Sequence, residues 1–216
     1  MASPTPGERE ATADDAAGLS GTKLQIAEAA LETLKAKGFA GASARVIAQT
    51  GGFNQALIFY HFGSVRHALL AALDLISERR LKEYRPAFEA ARTAPELGRL
   101  ARSIYDEDLE RGYITALGEM VSGGVSDATL GAEVAARIEP WIAMVRDKLE
   151  QLLDGSPVLA LGSPADLAFG IVALYFGVDM LSHLQRDRAR AESLLDLSTR
   201  LAALAEAFLP RAAHLP

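Results

Sequence analysis

Between Ser43 and Arg66 the chain gathers side chains suited to hydrogen bonding with base edges and phosphates. Gln55 offers a carboxamide that can pair with adenine through two hydrogen bonds, and Ala56 and Leu57 are of a kind to meet a thymine methyl. Arg45 can reach a base edge or a phosphate, Tyr60 and His61 bring a hydroxyl and an imidazole to phosphates, and Arg66 adds a cation. Ser43, Asn54 and Ser64 stand where three helices are expected to begin, and free N–H groups there suit phosphate oxygens. Competing roles exist for some of these. Leu57 and Phe62 fit a core better than a contact surface, and packing at the domain junction is the lesser alternative for Tyr60 and His61. Gln55 and Arg45 have no evident core role. His61 and His67 are six positions apart and do not face one metal on a regular helix, so no metal site is expected.

These side chains need short, firmly held helices. Val46, Ile47 and Ala48 give one helical pattern its apolar side, Leu57, Ile58 and Phe62 give the next, and Thr50-Gly51-Gly52-Phe53 joins them. Gly51 and Gly52 permit positive φ and a reversal within a few residues, which defines a helix-turn-helix. The second helix is too short to persist alone and must be held by its neighbours. Before it, a helix is expected from about Thr22 to Lys37, with Thr22 and Gln25 as a capping box, a Leu24, Ala27, Leu31, Leu34 stripe, and Gly38 at its end. After it, a helix from Ser64 to around Tyr84, ended or kinked at Pro86, is the natural lever to the rest of the chain.

Composition bounds the remainder. Of 216 residues, 50% are apolar and only 6% aromatic, with Ala and Leu dominant and no long period-2 alternation, so an all-α chain is expected. There is no cysteine, which excludes disulfides and thiolate metal sites and is compatible with the cytoplasm. The formal net charge is −6. Yet Thr22 to His67 holds five basic and two acidic side chains, a net +3, while the other 17 basic and 26 acidic residues leave −9. A cationic head on an acidic body is expected to meet nucleic acid at one end only. Residues 1–20 have no apolar run and are expected to be a disordered tail rather than a signal peptide or membrane anchor.

Further helices follow in the sequence. Thr93 with Glu96 is a capping box opening a helix to about Arg111, a shorter one spans roughly Ile114 to Val121 before Gly123-Gly124, and another runs from Asp127 to Leu153. Asp154-Gly155-Ser156-Pro157 ends that one. Ser163-Pro164 opens the next, to about Arg186, and the last carries Leu194, Leu197, Leu201, Leu204 and Phe208. Leu167, Ile171, Leu174, Val178 and Leu181 line one side of the penultimate helix, and Gly170 and Gly177 would let another helix approach. That is more apolar surface than a thin domain covers. The apolar segment Ala168–Leu184 contains Asp179 and His183, which favours a bundle helix over a membrane span.

Residues Thr22 to Asp74 resemble the tetracycline-repressor (TetR) family of bacterial transcription regulators, through Gly38-Phe39, Ile47-Ala48, Gly52 and Tyr60-His61-Phe62-Gly63-Ser64. The resemblance implies an N-terminal three-helix DNA-binding domain (21–67), a larger helical effector-binding and dimerisation domain (68–210), and a short tail (211–216). It implies a homodimer through a four-helix bundle of the last two helices, a palindromic double-stranded operator, and an unknown small-molecule effector that releases a repressor. Tyr105, Met120, Trp141, Met144, Tyr175, Phe176 and Asp179 are candidate effector contacts. Aromatic and methionine side chains on helices are more often core, whereas Asp179 is a carboxylate in an apolar helix that needs a partner. Two positions depart from the family pattern: Phe59 replaces a tyrosine, and Val65 stands where a lysine is usual, leaving Arg66 to supply the charge.

The sequence has no G-x-S-x-G, P-loop, H-E-x-x-H or dinucleotide fingerprint, so no enzyme and no cofactor is expected. The alternative to a ligand-responsive regulator is a helical DNA-binding or adaptor protein without an effector.

Overall fold

The computed structural model describes residue 19, residues 21–185 and residues 188–206. Among them the architecture is all-α: α1 (Thr22–Gly41), α2 (Ala44–Gly51), α3 (Ala56–Phe62), α4 (Val65–Ala90), α5 (Ala94–Glu110), α6 (Tyr113–Ser126), α7 (Ala128–Leu153), a 3-10 turn at Pro157–Ala160, α8 (Pro164–Gln185) and α9 (Arg188–Glu206). The expected tails at 1–20 (Leu19 apart) and 211–216, and Phe208, lie outside the described residues.

Local signals place most boundaries. Ser43 and Ser64 cap α2 and α4, accepting from Val46 N at 3.4 Å and His67 N at 3.1 Å. Asn54, expected to cap α3, stands one residue before the cap position, which Gln55 holds without a side-chain cap bond, although Asn54 Oδ1 accepts from Ala56 N at 2.9 Å. Thr93 and Asp127 do the same for α5 and α7. Thr22 does not cap α1: it is the first helical residue, Gly21 holds the cap position, and Gln25 Nε2 instead donates to Gly51 O at 3.0 Å, tying α1 to the end of α2.

The turn between α2 and α3 rests on one glycine, not two. Gly52 has φ 67°, whereas Gly51 is still helical, and its small size matters because a Cβ there would fall 2.3 Å from the Phe53 ring.

Two helices outrun their sequence signals. α4 continues through Pro86 to Ala90, and Lys148 Nζ from α7 donates to Glu89 O at 3.2 Å and Ala91 O at 2.9 Å, satisfying carbonyls at its end. α6 continues through Gly123 and Gly124 because those glycines are contact points: a Cβ on Gly123 would meet the Phe39 ring at 2.7 Å, and one on Gly124 the Gly131 Cα at 2.9 Å.

The expected division at residue 67 is not a division of the core. Ile26, Leu34, Ile47 and Ile58 of the head share one buried cluster with Leu69, Leu70 and Leu73 of α4, Ala116 and Met120 of α6, and Leu130 and Val134 of α7. A second cluster, with Tyr84, Phe88, Ile104, Met144, Val145 and Leu149, lies further along α4.

Candidate functional site: a recognition face and an internal cavity

The head presents a polar outer face. Ser43, Arg45, Asn54, Gln55 and Ala56 are exposed, and Tyr60 is 82% exposed. That exposure removes the junction-packing alternative for Tyr60. His61 is half-buried and meets the Tyr60 ring edge to face at 4.9 Å. Ile58 is fully buried, whereas Leu57 is half-buried against the same core, so it serves packing more than contact. Phe62 is half-buried against the core as well. Phe59 was not among the expected contacts, yet it stands 51% exposed beside Tyr60; its place in the family pattern was the available signal.

Arg66 is committed elsewhere. Its guanidinium pairs with Asp127 and lies 3.8 Å from Glu133, binding the start of α4 to the α6–α7 corner. The phosphate grip expected of it therefore competes with an existing ion pair, and Val65 offers no replacement. The head is joined to the body twice more. Phe39 N donates to Glu119 Oε2 at 2.8 Å, and Arg79 pairs with Glu28 at 2.9 Å.

Below the junction a cavity of about 130 Å³ lies between α4, α5, α6, α7 and α8. Leu73, Ile76, Ser77 and Arg80 come from α4, Ile104 and Asp108 from α5, Tyr113 and Leu117 from α6, Ile138 and Trp141 from α7, and Val172, Tyr175 and Phe176 from α8. Of the expected effector contacts, Trp141, Tyr175 and Phe176 are there.

The others are not. Met120 is fully buried in the junction core and Met144 in the second core. Tyr105 backs the cavity through an edge-to-face contact with Tyr175 at 5.5 Å. Asp179 sits half-buried on α8, close enough for its charge to act on the Tyr175 phenol. The carboxylate that enters the cavity wall is Asp108.

Asp108 belongs to a buried charge cluster. Arg80 is 1% exposed; its Nη1 donates to Glu83 at 2.7 Å and Glu107 at 3.1 Å, and its Nη2 donates to the Tyr84 hydroxyl and pairs with Asp108 at 2.7 Å. Tyr84 donates to Glu107 and Tyr175 to Asp108, both at 2.7 Å. Burial pushes the Asp108 carboxyl above its usual range, against the opposing pull of Tyr175 and Arg80. Burial also works against the Arg80 charge, but Asp108, Glu107, Tyr84 and Glu83 outweigh it and hold the proton more firmly. Tyr175 is raised by burial and then by the Asp108 charge.

A sequence signal for this cluster existed. Ile76, Arg80, Tyr84 and Phe88 recur every four residues, and Leu97, Ala101, Ile104 and Asp108 form a 4-3-4 stripe. A charge within an apolar stripe marks a buried pair.

A third surface remains open. Phe169, Leu174, Met180 and Leu181 on α8 and Leu194, Leu197, Leu201 and Leu204 on α9 are 36 to 63% exposed. Val178, expected on that surface, is 4% exposed and packs within the chain. α8 is long and apolar enough to cross a membrane, and little of its apolar stretch Pro164–Leu181 is buried within the chain.

Residues 26–73 match the family model described as bacterial regulatory proteins, tetR family. No match was found among curated proteins. Among solved structures, the chain resembles a TetR-family transcriptional regulator from Cytophaga hutchinsonii, with TM-score 0.71, 17% identity, and 86% of this chain and 94% of that one covered. It also resembles a TetR transcriptional regulator from Legionella pneumophila, with TM-score 0.69, 18% identity, and 86% and 99% covered. A third is the transcriptional regulator FadR from Bacillus subtilis in complex with stearoyl-CoA, with TM-score 0.69, 13% identity, and 82% and 97% covered. At such identities the solved structures speak for the fold, and the family model speaks for the head. Residues 26–73 thus carry a helix-turn-helix of the tetR family of bacterial regulatory proteins, on a chain whose all-α fold is similar to that of TetR-family transcriptional regulators.

Proposed function

We propose that the chain is a sequence-specific regulator that binds a palindromic operator as a homodimer and is released from it by a small molecule, acting as a cytoplasmic repressor. The observation that carries this reading is the position of the cavity. It is walled by α4, whose first turn follows α3 directly and is tied by Arg66 to α7. A ligand that prefers one setting of α4 changes the spacing of paired recognition helices, which must match major grooves about 34–36 Å apart. A differential affinity of about 1–3 kcal/mol is enough for such coupling.

Pairing is supported by the apolar face of α8 and α9. Gly170 and Gly177 have no neighbouring atom within 4 Å of where a side chain would start, which leaves room for a second helix to come close. The B. subtilis regulator holds stearoyl-CoA. The cavity here measures about 130 Å³, which supports a smaller effector than that.

The test is retention of genomic DNA fragments by the purified protein at low salt, followed by affinity measurements on the selected site. Gln55→Ala should cost about 1–3 kcal/mol at particular base positions and little elsewhere. Arg45→Ala should reduce the salt slope by about 1 if its contact is to phosphate, whereas Arg66→Ala should leave the slope nearly unchanged. No retention of any fragment would end the DNA-binding reading. An equal loss of salt slope from both arginines would end the assignment of Arg66 to the domain junction.

A further inference from the structure

The outer face of α3 holds one large side chain without a polar atom. Ile58 is fully buried and Leu57 and Phe62 are half-buried against the core, so they occupy the inner side of the helix. Gln55, Ala56, Phe59 and Tyr60 are exposed on the other side. Phe59 is 51% exposed and joins none of the core clusters of the described residues. Its neighbour Tyr60 has a hydroxyl to offer and leans on the His61 ring. Phe59 has only its ring.

A phenyl ring neither donates to a phosphate nor pairs with the polar edge of a base. One group in the major groove is apolar, the C5-methyl of thymine, and a phenylalanine ring is suited to cover it. Ala56 ends at its Cβ, whereas the Phe59 ring projects further from the helix axis. Position narrows the target. Gln55 already has helical backbone angles, φ −56° and ψ −24°, so Phe59 follows it by one turn on the same face. Side chains four apart on a helix start about 5–6 Å from each other. Successive base pairs are about 3.4 Å apart, so the two side chains address bases within about two pairs of one another.

We propose that Phe59 is a specificity-determining residue, which selects a thymine by seating its ring on the C5-methyl, within about two base pairs of the base that Gln55 reads. This rests on the DNA-binding reading of the head, whose net +3 draws a duplex to this end of the molecule. Covering one methyl is worth about fourfold in affinity.

The experiment selects a bound site from random-sequence duplex DNA with the full-length protein, then replaces its thymines one at a time with deoxyuridine, which lacks only the methyl and pairs as before. One position, within about two base pairs of the base at which Gln55→Ala weakens binding, should lose about fourfold. Phe59→Ala should bind less tightly and no longer distinguish thymine from deoxyuridine there, and the polar replacement Phe59→Gln should lose the distinction equally. Tyr60→Ala should keep it. If no thymine is sensitive to removal of its methyl, the proposal is overturned and DNA binding stands. A sensitivity that both Phe59 variants retain assigns the methyl to another side chain and overturns the proposal as well. No retention of any duplex overturns the DNA-binding reading together with it.

Discussion

The first three turns of α4 and its middle lie on one continuous helix, yet they bury different chemistry. From Ala68 to Leu73 the helix contributes only small and aliphatic side chains to the junction, all 8% exposed or less. One turn later, Ser77 and Arg80 face a cavity, and Arg80 is held by three carboxylates and a tyrosine. A filled apolar core has one good arrangement and transmits displacement as a solid. A cavity with paired charges keeps room at a cost in stability, which an occupant can offset. The same helix therefore packs the head into a filled core at one end and borders a cavity at the other.

The sharpest way to break this contrast is Arg80→Met. Removing the guanidinium strands Asp108 in the wall and should cost about 3–5 kcal/mol in denaturant unfolding. Arg80→Met combined with Asp108→Leu should recover most of that loss. A cost below about 1 kcal/mol for the single change would mean that the cluster is solvated and the contrast false.

Next in size, Met120→Ala in the junction should cost about 2–5 kcal/mol, because the surroundings are filled and relax little. Val172→Ala beside existing empty space should cost less than about 1.5 kcal/mol. Equal costs would show that junction and cavity wall are packed alike.

The gentlest probe is pH. Asp108 binds its proton more tightly folded than unfolded, since burial raises its pKa. Its contribution to stability is therefore present below the ordinary carboxylate range and is lost as pH rises through the raised folded value. Asp108→Asn should flatten that part of the stability profile, measured by thermal unfolding across pH. An unchanged profile would place the titration in another group.

Much of the head was legible in the sequence because its signals are local. Caps at Ser43 and Ser64, the glycine at 52 and the apolar spacing of Ile47 and Ile58 each act within a few residues, and each reappears in the fold. Two helix ends were misjudged for the opposite reason. Pro86 and Gly123-Gly124 weaken a helix locally, but Lys148 on the α4 carbonyls and the close contacts with Phe39 and Gly131 come from residues far along the chain. The site was legible in part. Gln55, which had no evident core role, is exposed, whereas the fate of Arg66 depended on Asp127 and Glu133, sixty or more residues away.

The sequence by itself determined that the chain is helical, that it carries a cationic helix-turn-helix, and that α8 and α9 have long apolar stripes, because periodicity and capping are properties of short stretches. Only the tertiary structure decided which charges are shared between head and body, that the two halves have a common core, and that Asp108 rather than Asp179 enters the cavity wall. Helix phase states which side chains share a face. It does not state which other helix that face will meet, and the partner fixes whether a charge is paired, buried or left for a ligand.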